Sequence, residues 1–132
     1  YTENARVIKH HIMGNKIVLK PSSRAFNQPI RFIGSYGQYT PKRDAFIKKI
    51  EKKHAPGVQF IGMASALKFC ALLEGEADYY IQFRRTMIWD IAAGQALLNC
   101  MGRSVIDIAT NQELTYKNPF PNNPSFIAGK AL

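Results

Sequence analysis

From residue 30 onward the chain alternates short β-rich runs with helical ones, and that order constrains the fold more than any other feature. Strand candidates rich in β-branched and aromatic residues fall at 30–35, 58–61, 79–83 and 104–108. Helix candidates lie between them at 42–54, 66–74 and 91–101. Strands separated by helices need crossover connections, which predicts an α/β fold: a layered sheet with crossover helices. The first helix carries Phe46, Ile47 and Ile50 on one side and lysines on the other, an amphipathic pattern. Pro56-Gly57, Gly75 and Gly102 act as stop signals after the three helices. The tail from Leu114 holds Pro119, Pro121 and Pro124, so it reads as mostly loop with one last strand at 126–128. Upstream, runs at 5–13 and 16–20 flank Gly14-Asn15, a two-residue turn signal. A β-hairpin is expected there, followed by a polar linker to residue 29. A lone hairpin is marginal in water, so it must pack on this domain, on another copy or on an absent segment.

The 132 residues suffice for one domain with a real core. At 46% hydrophobic and 20% charged, the composition excludes disordered and fibrous classes. Lys68 and Asp90 interrupt the best apolar runs, leaving none near the ~20 residues that cross a bilayer. No secretory signal is read either, and the expected location is the cytoplasm. The net charge of +9 is localised, with twelve Lys/Arg against three Asp/Glu in residues 1–61 and six of each in 62–132. Much of it is Lys42, Arg43, Lys48, Lys49, Lys52 and Lys53 on the first helix, which reads as a solvated face. Such a field also draws in polyanions. Cys70 and Cys100 read as small core hydrophobes in a reducing compartment. His10 and His11 point to opposite faces of a strand, and no zinc-site spacing occurs. Tyr79, Tyr80, Phe83 and Trp89 read as core aromatics.

Chemistry concentrates in the second half. Within Thr86-Met87-Ile88-Trp89-Asp90-Ile91-Ala92-Ala93-Gly94-Gln95, Asp90 sits where a strand or loop gives way to the helix 91–101. On spacing alone it is either a capping carboxylate or a metal ligand. The small residues Ala92, Ala93 and Gly94 leave room for another group to approach the helix closely. Ser65 is a candidate N-cap for the preceding helix, yet Lys68 stands where a capping box would have Glu or Gln. A cation in a first turn opposes the helix dipole. Either the lysine swings into solvent, or backbone N–H groups, the Ser65 hydroxyl and the Lys68 ammonium converge on one phosphate. Arg84-Arg85 follow the strand 79–83, at the end where ligands gather in open α/β sheets.

Trp89-Asp90-Ile91-Ala92-Ala93-Gly94 resembles the second signature of the lithium-sensitive, magnesium-dependent phosphomonoesterases of the inositol monophosphatase superfamily. Gly62-Met63-Ala64-Ser65-Ala66-Leu67-Lys68-Phe69-Cys70, followed by Glu74-Gly75-Glu76-Ala77-Asp78, is similar to its 3′(2′),5′-bisphosphate nucleotidase branch. The resemblance implies the C-terminal half of the sugar-phosphatase-like fold, with residues 1–29 ending an absent N-terminal domain and 30–132 forming the C-terminal α/β domain. It implies Mg2+ as cofactor with Asp90 as one ligand, and substrate held by Ser65, Lys68, Arg84 and Gln82. Gln82 stands where the branch carries a substrate-contacting arginine, so Arg84 has taken over or recognition has changed. Gln38 likewise stands at the place of a nucleotide-contacting histidine. The implied reaction converts 3′-phosphoadenosine 5′-phosphate to AMP, with two or three metal ions polarising the phosphoryl group. The Glu motif and the Asp-Pro-x-Asp-Gly-Thr segment of the family are absent from these residues, as is the start at methionine. The chain is therefore expected to hold no catalytic residue of its own, to need the missing N-terminal domain as partner and to be inactive alone. The alternatives are an inositol-phosphate or other sugar phosphatase, a basic nucleic-acid-binding module built on the first helix, and a phosphatase-like relic serving as an interaction domain. The expected ligand is a phosphorylated small molecule, a nucleotide before any other, with no membrane partner and nucleic acid ranked behind.

Overall fold

A computed structural model describes residues 2–3, 6–21, 24–37, 39–117 and 121–130. In chain order the first elements are β1 (Thr2–Glu3), β2 (Arg6–His10), β3 (Lys16–Val18), β4 (Ile30–Gly34), α1 (Pro41–Glu51) and β5 (Val58–Gly62). There follow α2 (Leu67–Glu74), β6 (Tyr79–Gln82), β7 (Thr86–Met87), α3 (Ile88–Asn99), β8 (Ser104–Asp107), β9 (Asn122–Asn123) and β10 (Phe126–Gly129). The five-stranded main sheet runs in the order β5-β4-β6-β10-β8. Strand β4 is parallel to both β5 and β6, whereas β10 is antiparallel to β6 and β8. The fold is α/β, as expected, with a mixed sheet.

Period-two alternation sends neighbouring strand residues to opposite faces. Phe32, Ile81 and Ile127 face one side, where Phe46, Ile47 and Ile50 of α1 cover them. Ile33, Tyr80 and Ala128 face the other, packed with Phe69 and Leu72 of α2 and Ile91 and Leu98 of α3. Phe32, Ile33, Leu72, Ile91, Leu98, Val105 and Phe126 are fully buried. Each such side chain is worth about 1.5–3 kcal/mol in transfer from water.

Several expectations from the sequence are corrected here. The proline-rich tail adds β9, paired with β7, to the one strand expected at 126–128, which is β10 and is buried at all four positions between β6 and β8. Its short apolar run is paired on both edges, which local turn signals do not report. The hairpin exists, but its strands are joined by a five-residue loop from His11 to Asn15 rather than a two-residue turn, and β1 adds a third strand. It packs on this domain: Val7 is buried in the main core with Leu19 against it, and Lys9 pairs with Glu74 at the end of α2. Cys70 and Cys100 are exposed, because α2 and α3 turn other faces inward. Arg43 leaves the solvated face of α1; it is buried, bonded to Asp44 and placed over the rings of Tyr39 and Phe60 at 4.3 and 4.7 Å. Arginine stacks this way because its flat guanidinium is weakly hydrated.

The room beside the small residues of α3 has a specific occupant. A Cβ placed on Gly94 would lie 2.3 Å from the ring of Phe69, so the missing side chain lets α2 and α3 approach. Gly75 ends α2 in the left-handed conformation, φ 78°, and its N–H caps the Ala71 and Leu72 carbonyls.

Candidate functional site

Strand order reverses direction at β4, whose chain continues through α1 to β5 on one side and then through α2 to β6 on the other. A crevice is expected at the carboxyl ends of strands flanking such a reversal. Ser35 follows the last residue of β4 and Gln82 is the last of β6, and both line an open cleft of about 510 Å³. The loop before α2 contributes Ser65, and the first turns of α2 and α3 contribute Lys68, Trp89 and Asp90, to its walls. The link from β6 to α3 contributes Arg85 and Thr86.

Lys68 is buried to 3% exposure, and no carboxylate pairs with it among the described residues. Its ammonium donates to the Ser65 carbonyl at 2.7 Å, to Ser35 Oγ at 3.2 Å and to the Met63 carbonyl at 3.5 Å, and lies 5.1 Å from the Tyr80 ring centre. Burial pushes its pKa below the ordinary lysine value. The lysine thus neither swings into solvent nor opposes the helix freely; it turns back on the loop before α2. Ser65 is not the expected side-chain cap: Ala66 occupies the cap position without a side-chain bond, and Ser65 has φ 53°, bent so that its carbonyl meets Lys68.

Asp90 also differs in local position. Helix α3 starts at Ile88, three residues before the expected boundary, so Asp90 lies in its first turn and accepts the Met87 N–H at 2.8 Å. Its carboxylate is exposed, and Oδ1 accepts no hydrogen bond among the described residues. Burial first, and then the Asp90 charge, raise the pKa of the Tyr80 hydroxyl. The neutral phenol therefore remains a donor and bonds Gln82 Oε1 at 3.3 Å. Trp89, read from sequence as core, is 68% exposed at the rim, since α3 turns Ile91 and Leu98 inward instead.

The chain matches the sequence profile of the inositol monophosphatase family over residues 5–130. It belongs to that family. Among curated relatives, a protein encoded in the pss 5′ region of Rhizobium leguminosarum, itself uncharacterised, is 50% identical over 41% of this chain and 56% of its own length. The 3′(2′),5′-bisphosphate nucleotidase CysQ of Escherichia coli is 45% identical over 37% of this chain and 20% of that protein. The crystal structure of CysQ from Bacteroides thetaiotaomicron, a bacterial member of the family, superposes with TM-score 0.72 at 33% identity, over 83% of this chain and 40% of that one. Inositol monophosphatase II of Staphylococcus aureus shares the fold at TM-score 0.60 and 18% identity over 95% of this chain and 47% of that one. The chain thus spans about half or less of these relatives.

Of the residues singled out in the sequence, Ser65, Lys68, Gln82 and Asp90 share the cleft. Arg84 does not line it; the residue borders a small depression with Thr40, Arg43 and Phe60. Gln38 lies outside the described residues. The sequence offered Ser35 only within the run Gly34-Ser35-Tyr36-Gly37-Gln38, with no role of its own, and pointed to Arg84 rather than Arg85. The signal for Ser35 was its place one residue beyond a strand end, and for Arg85 the outward alternation of adjacent residues. Among the described residues no three of His, Cys, Asp and Glu cluster as metal ligands, and no helix is long and apolar enough to cross a membrane. Asp90 fits magnesium as one hard oxygen ligand, far short of an octahedral set.

Proposed function

We propose that the chain is the C-terminal half of a magnesium-dependent phosphomonoesterase acting on a bisphosphate nucleotide such as 3′-phosphoadenosine 5′-phosphate. The observation that carries this reading is the meeting of a buried ammonium, Lys68, and an exposed carboxylate, Asp90, in one cleft at the strand ends. The cation draws the phosphate in, and the carboxylate offers an oxygen to magnesium. When bound, magnesium polarises the phosphoryl group and acidifies the attacking water. In the hydrolysis the water oxygen bonds to phosphorus, the ester P–O bond breaks and the alcohol leaves with a proton. Trp89 and Thr86 wall the cleft on the side of α3. Resemblance to CysQ supports the nucleotide over an inositol phosphate, being the higher in identity of the two. With a single carboxylate in the cleft among the described residues, this chain by itself should bind magnesium weakly and release no phosphate.

The test uses Trp89, the single tryptophan, as a fluorescent reporter at the cleft rim. Inorganic phosphate is titrated with and without saturating magnesium. Magnesium should tighten phosphate binding, and phosphate should tighten magnesium binding by the same factor. Asp90→Asn should abolish that coupling. Phosphate affinity that ignores magnesium in the unaltered chain, or coupling that survives in Asp90→Asn, refutes the assignment.

A further inference from the structure

On the reading of the cleft as a phosphate site, we infer that Ser35 and Arg85 make the direct contacts to the anion, while Lys68 and Gln82 position them. An ammonium has three N–H donors. Those of Lys68 are met by Ser65 O, Ser35 Oγ and Met63 O, so its ammonium is already engaged by the protein at the wall of the cleft. Ser35 accepts from that ammonium, which leaves the hydroxyl proton of Ser35 to donate into the cleft it lines. The charged donor polarises this O–H, as linked hydrogen bonds do.

Gln82 is engaged in the same inward way. It is 4% exposed; Oε1 accepts from the Tyr80 hydroxyl and Nε2 donates to the Arg84 carbonyl at 3.2 Å. The second bond ties the peptide after Arg84 to the end of β6, and the chain there divides its two arginines. Arg84 borders the depression beside Arg43, and Arg85 lines the cleft. Arg85 is exposed, in no ion pair among the described residues, and its fork of N–H groups suits two phosphate oxygens at once. Gln82 is a positioning residue, and Arg85 determines what the cleft retains.

The experiment measures inorganic phosphate affinity of the full 132-residue chain by Trp89 fluorescence, with urea stability of each variant as a check on folding. Arg85→Gln should weaken binding about tenfold and Ser35→Ala about fivefold, the scale of one charge-assisted contact. Lys49→Gln, the same charge change on exposed α1, should leave it within about twofold, as screening of a distant charge predicts. Gln82→Leu should weaken binding only through Arg85, so the double variant Gln82→Leu/Arg85→Gln should bind as Arg85→Gln alone does. Additive losses in that cycle, or Arg85→Gln binding as tightly as the unaltered chain, overturn the inference. If Lys68→Met loses phosphate while Arg85→Gln does not, the cleft remains a phosphate site and only this assignment falls. If the unaltered chain binds no phosphate, both readings fall.

Discussion

Lys68→Met separates the stability of this fold from its function. The ammonium is 3% exposed and rests on neutral acceptors alone, with no opposing carboxylate. Hydrogen bonds to a charged group return about 1.5–3 kcal/mol each, against an effective desolvation cost of several kcal/mol for the ion. Methionine matches the stem in shape and carries no charge, and of the freed acceptors Ser35 and Ser65 line the open cleft. With the two contributions of similar size, the variant should stay within about 1 kcal/mol of the parent at pH 7. The pH dependence has a definite sign. Because the native pKa is depressed, the unfolded chain binds more protons between that value and the ordinary 10.5, and parent stability rises with pH across this window. Below the native pKa the burial penalty is fully present. The variant lacks this gain, so its stability relative to the parent should fall between pH 7 and pH 10. Its affinity for phosphate should fall about tenfold or more, the weight of one buried charge near the anion. Urea denaturation at the two pH values and phosphate titration read these effects. A loss above ~3 kcal/mol at pH 7 with unchanged phosphate affinity would make Lys68 structural.

Gly94→Ala gains about 1 kcal/mol of helix propensity but sets a methyl against the Phe69 ring, which should cost about 1–3 kcal/mol of overpacking. Net destabilisation in urea is expected, and stabilisation would show that α2 and α3 separate freely. Cys70 and Cys100 should both react with a thiol reagent in the folded chain without denaturant, since each is exposed; protection of either would contradict its placement.

Legibility in the sequence followed the range of the interactions. The strands and helices of residues 30–108 were readable because amphipathic periodicity and glycine stops are local, and Phe46, Ile47 and Ile50 face the sheet as their spacing requires. The antiparallel insertion of β10 was not, because pairing with β6 and β8 depends on contacts about 20 to 50 residues away in the chain. The helix start at Ile88 was missed for a related reason. Thr86 and Met87 pair with Asn122 and Asn123, fixing the entry to α3, and Asp90 caps from within the first turn instead of from the cap. In the cleft, residue type was legible and direction was not. Lys68 was singled out by breaking a capping rule, as functional positions do. That its donors turn back toward Ser35 and Ser65 depends on the positive φ of Ser65, which a serine does not announce.

The same directions explain why a cation and an anion can share one cleft without cancelling. A direct Lys68–Asp90 pair would have to break before either phosphate or magnesium could enter, at a cost that grows with burial. No such pair forms among the described residues: Lys68 is held by Ser35 and the loop before α2, and Asp90 by the backbone of Met87. Each charge is anchored by neutral groups on its own wall. On the proposed reading, phosphate and magnesium would bind side by side, each relieving the field of the other, so the two together would be favoured over either alone.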